Sequence, residues 1–567
     1  MIVLGINSVY HESAASCVID GRIVSAAEEE RFNRYKHGKA ARIDNPHILP
    51  INAINFCLKD VNLDSEDIDI IAFSFDPKVR EKSFEIDPIT LAGDWGSIEG
   101  EKIFLSGLGQ IKHSLNQALG DKAAEKLVWV SHHLAHAASA FFPSGLKEAA
   151  ILVIDGIGEN ASSMMAYGND NRLSILHEIQ YPHSLGFLWE KLSRFLGFSE
   201  YDACKVMGLA AYGQSETLQE AFSQFAQITD KNFTLEKEIL RFRVNEFEKL
   251  EALLGKRRKK NEPIEQRHKD IAASLQAFTS EVVLRLVEEL YHLCPQENLC
   301  LAGGVALNCA TNWLIKEKGP FKNIFIPTAP HDAGTAIGAA LYAYHTRLGE
   351  QAARTTPQLS PYMGPKFTTE EILLAIEESG LTARRSEDSA IETADMVADG
   401  KVVTWFQGRM EFGPRALGNR SLLADPRYVT TRELLNQKVK HREDFRPFGP
   451  SVLAERAEQW FEIGRKSESL KYMLFTCPVR PEKREKIPAV IHVDGTARVQ
   501  LVERELNPSY HRLISRFEQR TGVPVILNTS FNDSEPIVCS PKDAISTFNR
   551  MAIDALVMQD FIIERKK

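Results

Sequence analysis

The sequence has no close pair of cysteines. Its eight cysteines are scattered, and no two of them have the two-residue gap of a zinc knuckle. Several lie inside apolar runs, which is typical of reduced thiols in a protein core. We therefore expect a protein without zinc fingers that works in a reducing cytoplasm.

Long apolar segments and an excess of positive charge are also missing. No segment approaches the roughly 18 apolar residues of a membrane span, and the N-terminus lacks the pattern of a signal peptide. We therefore expect no membrane as a partner. The formal net charge is -8, so we expect no nucleic acid as a partner either. The one basic run, residues 256–260, predicts a solvated helix end or loop, with a phosphate- or partner-binding patch as the alternative.

What is present is the composition of a globular enzyme, spread over more than one core. The chain has 567 residues, of which 44% are hydrophobic and 25% charged. A proline-containing stretch without pattern lies between residues 346 and 367. We predict a first domain at residues 1–350, a linker at 351–366 and a second α/β domain at 367–567.

The first domain contains two similar β-meanders. Residues 2–6, 14–19 and 22–27 read as strands, with Asp20-Gly21 as the hairpin turn between the last two. Later, residues 149–155 form a buried strand pattern, and a returning strand follows a Gly- and Ser-rich turn. This repetition suggests an internal duplication.

The rest of the first domain alternates helices and strands. Residues 266–293 show helical periodicity, and a strand that begins at Leu299 runs into Gly303 and Gly304, where backbone can approach a nucleotide closely. Another strand covers residues 324–326, and Asp332 then opens a helix of small residues.

A histidine motif stands out between the two meanders. His132 and His136 are four residues apart, the spacing that places two imidazoles on one face of a helix. Asp155 and Asp332 each lie at a strand end or helix start, and two imidazoles with two carboxylates suit a divalent metal such as iron, manganese or zinc. The alternatives are a satisfied histidine pair without metal and a helix N-cap role for Asp332, which does not exclude metal binding.

Arginines beside glycine and proline turns cluster in the second domain. They occur in the strings GPRALGNRS and HREDFRPFGPSV, and DGTAR and LNTSFN follow. Guanidinium groups bind phosphates through two hydrogen bonds, and Asn and Ser can hold a planar amide. The pattern predicts a pocket for a phosphorylated amide, with a salt-bridge network as the alternative.

These strings, together with HHLAHA, VIDGIGE, CKVMGLAAYG, LAGGVALN and PHDAGTAIGAA, resemble the NodU and tobramycin-type carbamoyltransferases. The likeness covers nearly the whole chain, with the motifs in the expected order. It implies an α/β protein of two modules. The first has the duplicated actin- and Hsp70-like (ASKHA) fold of the tRNA threonylcarbamoyl transferase, and the second is YrdC-like.

The resemblance also implies a reaction in two steps. The YrdC-like module converts ATP and carbamoyl phosphate to carbamoyladenylate, with release of pyrophosphate and phosphate. The first module then transfers the carbamoyl group to an acceptor hydroxyl with release of AMP. The expected ligands are ATP with Mg, carbamoyl phosphate, a divalent metal (iron first, manganese or zinc as alternatives) and a hydroxyl-bearing small molecule such as a natural product or sugar. A homodimer is a candidate assembly.

Roles carry over to matching positions. The metal ligands match His132, His136, Asp155 and Asp332. The residues that line the transfer site match Asn7, His11 and Lys36. The adenylate-holding loop matches Gly303, Gly304 and Asn308. The carbamoyl phosphate and ATP site matches Arg415, Lys440, Arg446, Arg498, Asn528 and Ser530.

Two roles stay open at this level. His11 is a candidate general base for the acceptor alcohol, because a neutral imidazole accepts a proton near neutral pH, but it could instead orient the nucleotide. Lys205 could contact a phosphate or cap a turn. We expect the acceptor to be selected by loops at residues 76–110 and 215–265.

Other acceptor classes and a non-enzymatic role are the competing hypotheses. Threonylcarbamoylation of tRNA would need a basic surface, which the net charge of -8 argues against. Carbamoyl transfer to a protein cysteine is expected with zinc-finger cysteine pairs and an acylphosphatase domain, and neither is visible in the sequence. A non-catalytic nucleotide-binding regulator would have lost the arginine-rich strings.

Overall fold

The computed structural model describes residues 1–84, 86, 90–229, 232–352 and 357–565. These residues divide into two compact units. The first unit comprises Met1–Glu29 and His37–Leu359, and the second comprises Glu30–Lys36 and the chain from Ser360 onward. Residues 30–36 therefore belong to the second unit although the sequence predicts them in the first domain.

The first unit contains two five-stranded sheets. The strands of the first sheet are β1 (Ile2–Asn7), β2 (Ala14–Ile19), β3 (Arg22–Glu28), β4 (Ile70–Phe73) and β5 (Leu127–Trp129). The strands of the second are β6 (Glu148–Ile154), β7 (Ala161–Asn169), β8 (Arg172–Gln180), β11 (Asn298–Ala302) and β12 (Asn323–Phe325), while β9 (Ala226–Ile228) and β10 (Phe233–Leu235) form a separate hairpin.

The two sheets share one topology. The order is β3-β2-β1-β4-β5 in the first and β12-β11-β6-β7-β8 in the second. In each sheet, the first three strands form an antiparallel meander. A later strand pairs in parallel with the first strand of the meander, and one more strand pairs in parallel with that later strand. The predicted internal duplication is therefore confirmed at the level of strand order. The predicted hairpin turn is also confirmed, because Asp20 and Gly21 have φ angles of 48° and 78°, as a type I′ turn requires.

Helices surround these sheets. The longer ones are Ile51–Lys59, Ile98–Leu119, His132–Ser144, Leu185–Phe195, Ala203–Ala210, Gln266–Leu293, Cys309–Lys318 and Ala333–Leu348. Shorter ones are Pro77–Ser83, Gln219–Ser223, Lys237–Leu240 and Glu248–Leu254. None of the helices in the described ranges is long and apolar enough to cross a membrane.

A close helix crossing brings the predicted metal ligands towards one another. Helix Ala333–Leu348 packs against helix His132–Ser144. At the crossing, an ideal Cβ on Gly338 would lie 1.7 Å from the carbonyl oxygen of Ala135, so only glycine allows this approach. As a result, Asp332, directly before the one helix, lies beside the histidines of the other.

The second unit is built on an eight-stranded mixed sheet with the order β13-β22-β21-β14-β15-β20-β16-β19. Its strands are β13 (Arg384–Arg385), β14 (Val403–Phe406), β15 (Arg420–Ala424), β16 (Gly449–Leu453), β19 (Gln500–Val502), β20 (Val525–Ser530), β21 (Ala555–Met558) and β22 (Phe561–Glu564). Strands β17 (Thr476–Pro478) and β18 (Thr496–Arg498) form a second small sheet. The helices are Glu30–Asn33, Thr369–Ser379, Ser389–Ala398, Val429–Leu434, Pro508–Thr521 and Pro541–Arg550.

The predicted linker, residues 351–366, lies partly outside the described residues, at 353–356. On its N-terminal side, Gln358 accepts a hydrogen bond from the amide of Ile23 and donates one to the carbonyl of Gly21, both in the first unit. On its C-terminal side, the amide of Gly364 donates to Met410 in the second unit. Both flanks are thus held by hydrogen bonds, those of Gln358 through its side-chain amide, and each within its own unit.

Candidate metal centre and active site

The four residues predicted to bind a metal meet in the first unit. His132 and His136 lie on helix His132–Ser144, Asp155 follows β6, and Asp332 precedes helix Ala333–Leu348. Nε2 of His132 is 3.3 Å from Oδ2 of Asp155 and 3.7 Å from Oδ1 of Asp332. Nε2 of His136 is 3.6 Å from each of the same oxygens. All four side chains are buried, and their ligand atoms lie within 4.8 Å of one another.

The surroundings of these side chains leave the facing atoms available to an ion. Nδ1 of His132 is 3.2 Å from the carbonyl oxygen of Ser74, which favours a proton on Nδ1 and a lone pair on Nε2. The amide of Gly304 donates to Oδ1 of Asp155 at 2.9 Å. Both ring nitrogens of His136 are buried without a hydrogen-bond partner, and an ion would satisfy Nε2. Two nitrogen and two carboxylate ligands therefore fit iron, manganese or zinc.

Asp332 does not use its carboxylate as a helix cap. It occupies the N-cap position of helix Ala333–Leu348, but its side chain makes no capping hydrogen bond. The carboxylate instead faces the two histidines and, through Oδ2, lies 3.9 Å from Nδ1 of His11. The geometry favours the metal interpretation over the N-cap alternative.

The charges of the cluster are arranged for a cation. Burial alone would raise the pKa of Asp155, but the neighbouring rings of His132 and His136 hold it well below its usual range. Burial alone would lower the pKa of His132, but Asp332 and Asp155 raise it well above its usual range. The pKa of Asp332 is lowered as well, because His132 and His11 outweigh the effect of burial. Both carboxylates are therefore ionised at neutral pH, and a divalent ion bound there would replace the proton that His132 carries.

A buried glutamate that the sequence analysis did not single out holds the start of the histidine helix. Oε1 of Glu159 accepts hydrogen bonds from the amides of His132, at 2.9 Å, and Asp76, at 2.8 Å. Its other oxygen accepts from the hydroxyl of Ser131 at 3.0 Å. A negative charge at a helix N-terminus is favourable, so Glu159 fixes the first turn that carries His132. Glu159 ends the VIDGIGE string, but its partners are distant in sequence.

Asn7 and His11 have different surroundings. Nδ2 of Asn7 donates to the carbonyls of His11 and Glu12, and its Oδ1 accepts from the hydroxyl of Ser74. Asn7 is thus used to shape the loop that carries His11. The His11 ring meets that of Tyr201 edge-on at 5.4 Å between centroids.

Glu12 is a second residue that the sequence analysis missed. Its Oε1 is 2.5 Å from Nδ1 of His37, and its Oε2 is 3.8 Å from Nε2 of His331. Burial would raise the pKa of Glu12, but its interactions with His37 lower it to about 2. The only available signal was its position directly after His11.

The third residue predicted to line the transfer site, Lys36, is exposed and belongs to the second unit. Its role in the transfer site stays a prediction. Lys205, whose role was open, lies 3.3 Å from the carboxylate of Asp202, one turn earlier on the same segment.

The predicted adenylate loop follows β11. Gly303 has a φ of 89°, and Gly304 contacts Asp155 as described. Oδ1 of Asn308 accepts from the amide of Thr311 at 3.1 Å, which caps helix Cys309–Lys318, and its Nδ2 donates to Gln276. The loop therefore adjoins the metal cluster, while Asn308 also has a structural role.

In the second unit, the structure brings Lys440 and Ser530 together. Nζ of Lys440 donates to the carbonyls of Ser530 and Asn532, each at 2.6 Å. Burial, with the neighbouring charges of Arg442 and Arg446, lowers the pKa of Lys440 well below its usual range. The side chain of Arg446 lies 3.8 Å from the carboxylate of Glu443, and its charge acts on Lys440, so the two cations are near each other.

The other predicted residues of this unit lie on neighbouring strands and loops. Asn528 on β20 donates to Ser451 and Gln500, and its strand partner is Gly449. An ideal Cβ on Gly449 would lie 3.0 Å from the carbonyl oxygen of Arg498. Asn528 and Arg498 are therefore near neighbours. Arg415 is half-buried in the loop before β15.

Comparison with known proteins identifies the family. The model of the carbamoyltransferase N-terminus matches residues 2–341, and that of the carbamoyltransferase C-terminus matches residues 394–565. The uncharacterized protein sll1178 of Synechocystis sp. is 40% identical over 610 residues, which cover 99% of this chain and 96% of that protein. Nodulation protein NolNO of Sinorhizobium fredii is 38% identical over 569 residues, or 99% of this chain and 80% of that protein.

A third relative, 3′-hydroxymethylcephem-O-carbamoyltransferase of Amycolatopsis lactamdurans, is 34% identical over 370 residues, or 64% of this chain and 65% of that protein. The chain belongs to the carbamoyltransferase family, and it is an enzyme that transfers a carbamoyl group. The resemblance stated from the sequence is therefore confirmed.

Proposed function

We propose that this carbamoyltransferase is an ATP-dependent O-carbamoyltransferase that works in two steps. Its second unit, taken as YrdC-like, forms carbamoyladenylate from ATP and carbamoyl phosphate. Its first unit, taken as actin- and Hsp70-like, transfers the carbamoyl group to a hydroxyl of a small molecule. The observation that carries the proposal is the buried cluster of His132, His136, Asp155 and Asp332 beside the Gly303–Gly304 loop.

In the activation step, cationic side chains of the second unit would bind carbamoyl phosphate and the phosphates of ATP, which is expected to come with Mg. Arg446 and Arg498 are half-buried, and partly shielded guanidinium groups bind phosphates strongly. Lys440 is a less direct participant, because its ammonium already donates to two carbonyls near Ser530. It shapes the loop at the end of β20.

In the transfer step, His132, His136, Asp155 and Asp332 would hold a divalent metal, with iron as the first candidate and manganese or zinc as alternatives. When bound, such an ion supplies Lewis acidity towards a phosphate or carbonyl oxygen. Asn7 keeps the His11 loop in place, and His11 either accepts the acceptor proton or orients the nucleotide. Exclusion of water would protect the labile adenylate.

The proposal also includes the location of the protein, the class of its acceptor and its assembly. All eight cysteines are free thiols and seven of them are buried, which supports a reducing cytoplasm as the location. The acceptor is proposed to be a natural product or a sugar, and a homodimer is the proposed assembly.

The proposal is tested by product analysis. The purified protein, loaded with iron, manganese or zinc, is incubated with ATP, Mg, carbamoyl phosphate and a panel of hydroxyl acceptors that includes 3′-hydroxymethylcephem, aminoglycosides and simple sugars. We expect one acceptor to gain the mass of a carbamoyl group, with AMP formed in equal amount. Product formed equally well without ATP would contradict the two-step scheme.

A further inference from the structure

Glu190 is a carboxyl that the proposed mechanism leaves without a role, although it lies beside the metal cluster. It belongs to helix Leu185–Phe195, whose first turn packs on the loop that follows Asp155. An ideal Cβ on Gly186 would lie 2.6 Å from the backbone N and Cα of Gly156, so this helix touches the loop directly. One turn further on, Oε1 of Glu190 lies 3.8 Å from the position of a Cβ on Gly156.

The Glu190 carboxyl has no partner among the described residues, although it is half-buried. No described residue donates a hydrogen bond to it or forms an ion pair with it. The charged groups that act on it are His11 from the loop after β1, Arg194 from its own helix, Glu200 from the segment that follows and Asp155 after β6. Burial raises its pKa to about 7, against the opposing influence of His11.

A shielded carboxyl that titrates near neutral pH without a structural partner is typical of a group that handles protons. His11 is less suited to that task here, because its Nδ1 faces Oδ2 of Asp332 at 3.9 Å, one of the proposed metal ligands. His11 can therefore orient the nucleotide while another group accepts the proton of the acceptor hydroxyl.

We propose that Glu190 is a further catalytic residue, the general base that takes the proton of the acceptor hydroxyl during carbamoyl transfer. The hydroxyl oxygen forms a bond to the carbonyl carbon of carbamoyladenylate, and its proton moves to the Glu190 carboxylate. The bond between that carbon and the AMP oxygen breaks, and AMP leaves with the electron pair. This inference rests on the proposed function.

The test compares Glu190→Gln and Glu190→Asp with the wild type and with Glu288→Gln, the same change at an exposed glutamate on helix Gln266–Leu293. Pyrophosphate release reports activation. Carbamoylated acceptor from the panel, or AMP formed by hydrolysis where no alcohol reacts, reports transfer. We expect Glu190→Gln to lower the transfer rate by about 10²–10⁴-fold with pyrophosphate release unchanged, and Glu190→Asp to retain part of the rate.

The pH profile distinguishes a base from a structural residue. In the wild type, transfer should rise with pH through about 7 as Glu190 loses its proton, and Glu190→Gln should lack this rise. Thermal unfolding checks the fold, and the neutral amide is expected to be no less stable because it removes an unpaired shielded charge. Unchanged transfer in Glu190→Gln, with activation intact, overturns the inference. Absence of pyrophosphate from the wild type would instead count against the proposed function.

Discussion

His136 is the predicted metal ligand with the fewest other interactions. Its ring is fully buried, and neither ring nitrogen has a hydrogen-bond partner. We expect His136→Ala to abolish stoichiometric metal binding, because three remaining ligands would hold a divalent ion less tightly. The measurement is metal content after gel filtration, by elemental analysis.

His113→Ala is the control, because His113 is exposed on helix Ile98–Leu119. It should keep the wild-type metal content. If His136→Ala folds and binds as much metal as the wild type, the cluster is not the metal site.

The buried ring of His345 is expected to make the stability of the folded protein depend on pH. Its ring is buried, stacks on Phe142 at 4.0 Å and has no hydrogen-bond partner, and burial lowers its pKa to about 4. The unfolded state therefore binds a proton at higher pH than the folded state, so stability falls as pH drops from about 6.5 towards 4.

Replacement by phenylalanine removes this acid-sensitive group. His345→Phe should be more stable than the wild type by about 2 kcal/mol at pH 5, with a much smaller difference at pH 7. Urea unfolding of both proteins at pH 5 and pH 7 measures this difference in stability. An equal difference at both would show that protonation of His345 does not contribute.

At the scale of elements, the contact between helix Leu185–Phe195 and the Asp155 loop leaves no room for a side chain at Gly186. Gly186→Ala would place a methyl group 2.6 Å from Gly156 and force the helix away. We expect a loss of about 1–3 kcal/mol of stability and a drop in transfer of about 10²-fold, because Asp155 and Glu190 would shift. Pyrophosphate release should not change.

Gly109→Ala is the matched control on helix Ile98–Leu119, where nothing lies within 4 Å of the added Cβ. It should raise stability by up to about 1 kcal/mol through helix propensity. Wild-type transfer in Gly186→Ala would show that the close approach is not needed for catalysis.

Elements with strong periodicity could be predicted from the sequence. The helix predicted at residues 266–293 runs over Gln266–Leu293, and the strands predicted at residues 2–6 and 14–19 appear as Ile2–Asn7 and Ala14–Ile19. The local pattern of apolar residues is sufficient in these elements, because buried positions recur about every 3.6 residues in a helix and every second residue in a strand. The grouping of His132 with His136 could also be predicted, because the two residues share a helix face.

Contacts between distant segments could not be predicted. Glu159 and Glu190 gain their surroundings from segments far away in sequence. The basic run shows the same limit. It predicted a solvated segment, and four of its five residues are exposed, but Arg258 is buried and donates to the carbonyls of Leu196 and Glu262. Its neighbours in the sequence gave no sign of this.

At the scale of the whole molecule, the chain passes between its two units three times, because residues 30–36 belong to the second unit. In this segment Arg31 donates to the carbonyl of Gly413, and Arg34 donates to those of Pro536 and Ile537. The proposed division of labour assigns activation to the second unit and transfer to the first, so variants in each unit should affect different steps.

Pyrophosphate release without acceptor tests this division most directly. Folded, metal-loaded protein is given ATP, Mg and carbamoyl phosphate, beside His136→Ala, Arg446→Ala and the exposed-arginine control Arg385→Ala. We predict release from the wild type, from His136→Ala and from Arg385→Ala, and its loss in Arg446→Ala. Equal release from Arg446→Ala and the wild type, or no release from the wild type even with the acceptor panel, would contradict carbamoyladenylate formation in the second unit.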